Sequence, residues 1–332
     1  MARIILFDEN GGPEKLYIKD VAKPEPGQGE VRYRVEAYAL NRGDLFWLAD
    51  TYYNSAKFPA RIGQEAVGYV EAIGPGVEGF AIGQRVASLV QEDGRYCVNG
   101  EFAITPARYL VHCPDFLSAG EAASLWSQAQ TAYYPLVEVA NVGPGHHVLV
   151  TAGSSTSGNG AIQMAKLLGA TVITTSRSDA KNDFLKDIGA DFIIDMSREN
   201  LCESVGRITE GKGVDVILDA VAGPMMSHYL ADGVLALGAK IFVLGALDGD
   251  FDLQGPLPPL IRAGGSIVGY SLYNHNRIDA QLERAKAFIT HHVINRSLVP
   301  WIDSVLPLED TAKGYEKLLS GQTRGKVIVK VA

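Results

Sequence analysis

The sequence predicts an α/β protein in which a turn-rich β region precedes a doubly wound parallel sheet of six strands. Two features of the 332-residue chain carry this expectation. Glycine and proline fall in tight groups within the first 120 residues, at PEPGQG, at IGPGVEGFAIGQ and around Pro106 and Pro114, which makes that region rich in turns. Past Val142 the texture changes to short β-branched runs alternating with stretches of helical composition, the order that builds a parallel sheet with crossover helices.

Taken in order, residues 30–40 (EVRYRVEAYAL), 66–73 and 83–90 have the period-2 character of half-buried strands. The six runs of the parallel sheet are expected at 147–152, 171–176, 191–195, 214–220, 240–245 and 266–270. The last run, 326–331 (KVIVKV), follows a helix-like segment at 308–320 and a Gly-Gln turn signal. A sheet of six is complete without it, so it is expected to return to the first region.

Composition removes several classes of function. Hydrophobic residues make up 47% and charged residues 20%, ordinary values for a globular chain and far from those of disordered ones. Thirty basic against 38 acidic residues give a formal charge of -8, so no general positive field exists to hold nucleic acid. Cys97, Cys113 and Cys202 are odd in number and widely spaced, which suits neither a disulfide framework nor a C-x-x-C knuckle and points to a reducing cytoplasm. The N-terminal apolar run ends at Asp8 and Glu9, and the stretch 228–247 is broken by Asp232 and Lys240; neither a signal peptide nor a membrane span is expected.

The segment VLVTAGSSTSGNGAIQMAKLLGATVITTSRSDAK places a strand, a Gly/Ser-rich turn, a helix and a second strand in the order used to bind dinucleotides. Small residues in GSSTSGNG, residues 153–160, let the backbone approach a pyrophosphate, and the N–H groups opening the helix at 161–168 supply partial positive charge. The strict G-x-G-x-x-G is absent, so a plain βα turn is the alternative. At the end of the second strand a 2′-hydroxyl calls for a carboxylate and a 2′-phosphate calls for cations. Here stand Ser176, Arg177 and Ser178 with Lys181 one turn on, which favours NADP(H) over NAD(H), the alternative being a solvated Arg–Lys pair. Asp179 beside them opposes that preference.

Several ordered stretches together resemble the medium-chain dehydrogenase/reductase superfamily, in its zinc-independent quinone oxidoreductase-like branch. They are ALNRGDLFWLADTYY (39–53), with an Asn-x-x-Asp element; IGQEAVGYVEAIGPGVEGFAIGQRV (62–86); AASLWSQAQTAYYPL; the Gly/Ser loop with its arginine; and the terminal RGKVIV. The resemblance implies a GroES-like β-rich substrate domain over 1–120, completed by 271–332, and a Rossmann NADP(H)-binding domain over 121–270, with the active site in the cleft. Two departures stand out: GSSTSGNG replaces the commoner AAGGVG, and Leu48 sits where relatives often have arginine.

Relatives with a catalytic zinc use Cys, His and Cys at positions that correspond here to Asn41, Gln64 and Ser127, donors poorly suited to Zn²⁺, so no metal is expected. The structural-zinc lobe needs four close cysteines, and residues 91–113 hold two. By resemblance the groups near the nicotinamide are Asn41, Asp44, Tyr52, Gln64 and Thr131. Tyr52 is the expected proton donor, with Tyr53 the immediate alternative and an aromatic lining role the other reading; Asp44 and Gln64–Glu65 are either catalytic or structural hydrogen-bond partners of the cleft floor. Trp47 and Trp126 are either walls for a flat substrate or packing. The cofactor is expected to lie against Thr131, Ser154, Ser155, Thr156, Ser157, Gly158, Ser176, Arg177, Lys181, Val221, Gly245, Ala246, Tyr270, Ser271, Leu272 and Lys326.

The implied activity is NADPH-dependent reduction of a quinone or of the C=C bond of an α,β-unsaturated carbonyl. Carbonyl/alcohol interconversion with NADP, and a non-catalytic NADPH-binding homologue such as a redox sensor or a crystallin-like protein, are the alternatives. The expected partners are a small conjugated carbonyl or quinone and a second copy of the chain in a homodimer; nucleic acid and membranes are not.

Overall fold

The computed structural model describes residues 1–51 and 54–331. In chain order the first strands are β1 (Ala2–Phe7), β2 (Tyr17–Val21), β3 (Glu30–Ala39), β4 (Ala60–Arg61), β5 (Glu65–Ile73), β6 (Arg85–Ser88), β7 (Phe102–Pro106) and β8 (Leu110–His112). Then come β9 (His147–Val150), β10 (Thr171–Ser176), β11 (Phe192–Asp195), β12 (Val214–Asp219), β13 (Leu235–Val243), β14 (Ser266–Gly269), β15 (Ile302–Pro307) and β16 (Lys326–Lys330). The helices are α1 (Arg42–Leu48), α2 (Ala119–Tyr133), α3 (Thr156–Leu167), α4 (Asn182–Asp187), α5 (Leu201–Ile208), α6 (Pro224–Tyr229), α7 (Leu257–Ala263), α8 (Leu272–Asn276), α9 (Asp279–Ile294) and α10 (Thr311–Leu319).

The chain divides into two compact units, one formed by Met1–Ser127 with Val299–Ala332 and the other by Gln128–Leu298. In the first, strands run in the order β15-β16-β3-β5-β6-β8 with β7 also on β3, beside a smaller sheet β2-β1-β4. On β3 the alternation works as expected: Val31, Tyr33 and Val35 are buried while Arg34 is exposed. The terminal run does return to this unit, where β16 lies antiparallel to β3 (Ile328 opposite Ala39) and parallel to β15. Over that seam lies α10, where Gly314 leaves room for Leu40: a Cβ on the glycine would sit 2.5 Å from the Leu40 side chain.

The second unit holds a sheet in the order β11-β10-β9-β12-β13-β14 with every neighbouring pair parallel, the doubly wound topology. Its central strands are buried on both faces, hence their apolar composition. Strand order reverses between β9 and β12, and ligands of such sheets bind at the carboxyl ends of the strands at that point. Two expectations shift. Strand β13 starts at Leu235 rather than residue 240, because the β12 pairing slips between Val214 and Val216 and picks up Leu235. Residues 271–298, expected to complete the first domain, pack in the second: Asn276 accepts from Gln130 Nε2 (3.2 Å) and the Tyr134 hydroxyl (2.7 Å), and Leu282, Ala285, Ile289 and Val293 are buried along one side of α9. Among the described residues no helix is long and apolar enough to cross a membrane.

Candidate active site

At the end of β9 the chain turns sharply, with Ala152 in the left-handed region (φ 50°), into the loop that opens α3. A Cβ on Gly153 would sit 2.1 Å from Thr174 Oγ1, and one on Gly158 would sit 2.5 Å from the Ala152 carbonyl oxygen, so the loop and helix approach too closely for any side chain. Ser155 caps α3, its Oγ accepting from the Gly158 N–H at 3.1 Å. Gly160 lets α3 lie on the backbone of residue 128: its Cβ would fall 2.5 Å from the Gln128 carbonyl oxygen. Gly160→Ala is therefore expected to lower stability by ~1–3 kcal/mol through overpacking, read as a lower urea midpoint.

Along the same sheet edge, the Ser176 hydroxyl donates to the Ser178 carbonyl (2.7 Å), and Lys181 Nζ reaches back to Ser154 Oγ (3.1 Å). Arg177 is exposed. Asp179, the residue opposing a phosphate, is engaged by Arg198 Nη1 at 3.1 Å. Arg198 was not foreseen; its signal was a cation three residues beyond the end of a neighbouring parallel strand. Asp219, at the end of β12, was also missed. It is buried and accepts four hydrogen bonds, from Thr151 Oγ1 (2.7 Å), the N–H groups of Val221 (2.9 Å) and Ala222 (3.1 Å), and the Tyr229 hydroxyl (2.8 Å). These bonds hold Val221 and the left-handed turn at Ala222 and Gly223.

Gly245 opens the end of β13, and Ala246 beyond it is buried. After β14, the Tyr270 N–H donates to the Val243 carbonyl (3.1 Å) and its hydroxyl to the Gln130 carbonyl (3.3 Å), beside Thr131 on α2; Ser271 and Leu272 begin α8. The structure thus gathers Ser154, Ser155, Thr156, Ser157, Gly158, Ser176, Arg177, Lys181, Val221, Gly245, Ala246, Tyr270, Ser271 and Leu272 along the carboxyl ends of one parallel sheet.

Lys326 belongs to the other unit. It opens β16 in the first unit, is fully buried, and its ammonium donates to Asn41 Oδ1 at 2.6 Å and to Glu65 Oε1. Glu65 Oε2 accepts from the Ser127 N–H (3.0 Å) and Oε1 also from Asn41 Nδ2 (3.3 Å). Asn41 and Gln64 are half-buried, and Gln64 Oε1 has no partner among the described residues. Asp44, three residues into α1, is fully buried. Its Oδ2 accepts from the Asn41 N–H (3.0 Å) and from the Tyr315 hydroxyl on α10 (2.9 Å), which in turn accepts from Asn99 Nδ2 (2.9 Å). Asp44 is thus a hydrogen-bond partner of the Asn41 backbone and of Tyr315. Trp126 and Leu48 are buried; Trp47 is half-buried, edge-on to Phe7 at 6.0 Å. Tyr52 and Tyr53 lie outside the described residues.

Burial pushes the Asp44 carboxyl up to about 7, against the pull of the Asn41 N–H, the Tyr315 hydroxyl and the Lys326 ammonium. The folded state binds this proton more tightly than the unfolded chain, whose carboxyl titrates near 3.8. The stability it contributes is full below about pH 4 and is lost as pH rises through about 7. At about 1.4 kcal/mol per unit, urea unfolding at pH 4 and pH 8 should differ by several kcal/mol more in the parent than in Asp44→Asn.

Two family models match the chain, "Alcohol dehydrogenase GroES-like domain" over 27–135 and "Zinc-binding dehydrogenase" over 158–287. Along 99% of its length it is 32% identical to 99% of a 2-haloacrylate reductase of Burkholderia sp.. A solved structure of Escherichia coli quinone oxidoreductase complexed with NADPH superposes with a TM-score of 0.88, at 25% identity and 99% coverage of both chains. The chain belongs to the medium-chain dehydrogenase/reductase superfamily, in its quinone oxidoreductase-like branch. Over 98% of its length it is also 30% identical to part of a phenolphthiocerol/phthiocerol polyketide synthase of Mycobacterium tuberculosis, and it spans 14% of that much longer protein.

The residues fit the dinucleotide of this superfamily: the glycines leave a cradle that side chains would fill, and Arg177, Lys181 and Arg198 stand at the second and third strand ends. They do not fit a zinc ion. The three positions that correspond to its ligands carry two amides and a hydroxyl, and the fully buried ammonium of Lys326 already rests on Asn41. Among the described residues no group of three His, Cys, Asp or Glu side chains is placed to hold a metal. Cys97, Cys113 and Cys202 are free thiols, and burial pushes the first two above the usual range.

Proposed function

We propose that the chain is an NADPH-dependent oxidoreductase that reduces a quinone or the C=C bond of an α,β-unsaturated carbonyl without a metal. The observation that carries this reading is the set of neutral donors at Asn41, Gln64 and Ser127, backed by a buried ammonium, where metal-bearing relatives polarise a carbonyl with zinc. Bound NADPH supplies a hydride. The second unit's cradle holds the nucleotide, with Arg177, Lys181 and Arg198 toward its 2′-phosphate and Thr131 and Tyr270–Leu272 toward the nicotinamide.

As hydride reaches the β-carbon, charge develops on the acceptor's carbonyl oxygen, and fixed donors lower the barrier at that point. Asn41 and Gln64 take that role, and Tyr52 is the proton source for the α-carbon. An enolate or hydroquinone anion spreads its charge, so neutral amides suffice; the alkoxide from a simple ketone asks for more. A relative named for reducing a 2-haloacrylate, itself a conjugated acid, supports the substrate class. A second copy of the chain is the proposed partner in a homodimer.

The test is NADPH consumption against a panel of enones, quinones, aldehydes and ketones. No turnover with any conjugated acceptor, or faster oxidation of simple alcohols with NADP⁺, defeats the reading. Elemental analysis is expected to find no stoichiometric zinc, and activity is expected to survive a strong chelator. A structural zinc contributes ~10–16 kcal/mol in small metal-folded domains, so its removal would be plain in a melting curve.

A further inference from the structure

We infer that Lys326 is a positioning residue that works through Asn41, orienting and polarising its amide as the donor to the acceptor's oxygen; this rests on the function proposed above. An ammonium has only protons to offer, so the atom of Asn41 that meets it at 2.6 Å must be the carbonyl oxygen. The amide is thereby fixed with Nδ2 on the side of Glu65 Oε1 and the Ala39 carbonyl. That nitrogen is only loosely held, at 3.3 Å from Glu65 Oε1 and 3.5 Å from the Ala39 carbonyl, both near the limit for a hydrogen bond.

Lys326 and Glu65 are almost wholly shielded from solvent, whereas Asn41 is half-buried, so Asn41 is the route by which the ammonium's charge reaches a ligand. A charge-assisted bond to Oδ1 draws electron density from the amide and makes its N–H a stronger donor. Glu65 is itself pinned by the Ser127 N–H at 3.0 Å, which keeps the ammonium aimed. A buried ion pair is a poor source of stability compared with apolar side chains of the same shape, so a role in positioning explains this one better than stability does.

The test uses K326M/E65Q, which removes both charges together and leaves no unpaired ion, with K326R and N41A beside it. The first readout needs no turnover: 4-nitrophenol is titrated on the protein, and its bound fraction is expected to ionise about one pH unit lower on the parent than on K326M/E65Q or N41A, the tenfold that one charge-assisted hydrogen bond is worth. K326R, which keeps the cation, is expected to recover most of that difference.

The second readout is kinetic. K326M/E65Q should lower kcat for an enone by roughly tenfold with KM and the NADPH Kd nearly unchanged, and the same pair of changes made in N41A should cost little beyond N41A alone, because the lysine acts through Asn41. A parent and variants that ionise the phenol alike, or that bind no phenolate at all, overturn the inference. So does a K326M/E65Q effect seen in the NADPH Kd alone, the mark of a direct cofactor contact. Should K326M/E65Q not fold, N41A and K326R decide the same question by the phenol titration. A chain that reduces no acceptor yet shows the phenol differences loses the proposed function and keeps this inference; the reverse pattern loses the inference alone.

Discussion

NADPH is expected to bind at least about tenfold more tightly than NADH, and Arg177→Asp to erase or reverse that preference. A charge-assisted hydrogen bond to phosphate is worth ~1.5–3 kcal/mol, and ~1.4 kcal/mol is a factor of ten, so a single well-made contact suffices. The structure strengthens the case in one respect. Asp179, the carboxylate that would repel a 2′-phosphate, is bound by Arg198, while Lys181 is anchored on Ser154 with its charge near the loop. Arg198→Ala should therefore weaken NADPH more than NADH, by freeing Asp179 as well as by removing a cation. Arg177 is exposed, so the preference should shrink as salt rises. Titration of both cofactors at low and physiological salt checks this; equal affinities in the parent would refute it.

The second large effect concerns the reaction. Conjugated acceptors are expected to be reduced much faster than saturated ketones of similar size, and Asn41→Ala to lower kcat for an enone by ~10²–10³, the cost of losing one donor in well-studied oxyanion holes. NADPH affinity should change less than kcat, because a bond to the acceptor's oxygen strengthens only as charge develops there. Tyr52→Phe should likewise slow enone reduction more than it weakens NADPH binding. Steady-state kinetics with a matched enone and ketone, alongside direct NADPH titration, separates these outcomes. An Asn41→Ala variant whose kcat is unchanged would remove Asn41 from the chemistry.

Local chemistry was legible in the sequence alone. Period-2 runs located the strands of the first unit, and β-branched runs spaced by helix-sized connections announced the parallel sheet, because side-chain periodicity is a property of a few consecutive residues. The Gly/Ser loop and Arg177 were readable for the same reason: the loop, its helix and the following strand are contiguous. The boundary at residue 298 was not readable, since it depends on Asn276 finding Gln130 and Tyr134, 146 and 142 residues away.

The polar cluster of the first unit shows the limit most clearly. Lys326 meets Asn41 across 285 residues and Glu65 across 261, and Tyr315 meets Asp44 across 271. In the run KVIVKV the two lysines look alike, each flanked by apolar residues at one end of a strand. Only the placement of β16 between β15 and β3 makes Lys326 fully buried beside a carboxylate and leaves Lys330 exposed. A strand's sequence sets which residues share a face, and these two lysines share one; which end of that face is buried, and against what charge, is decided by the residues that the fold brings there.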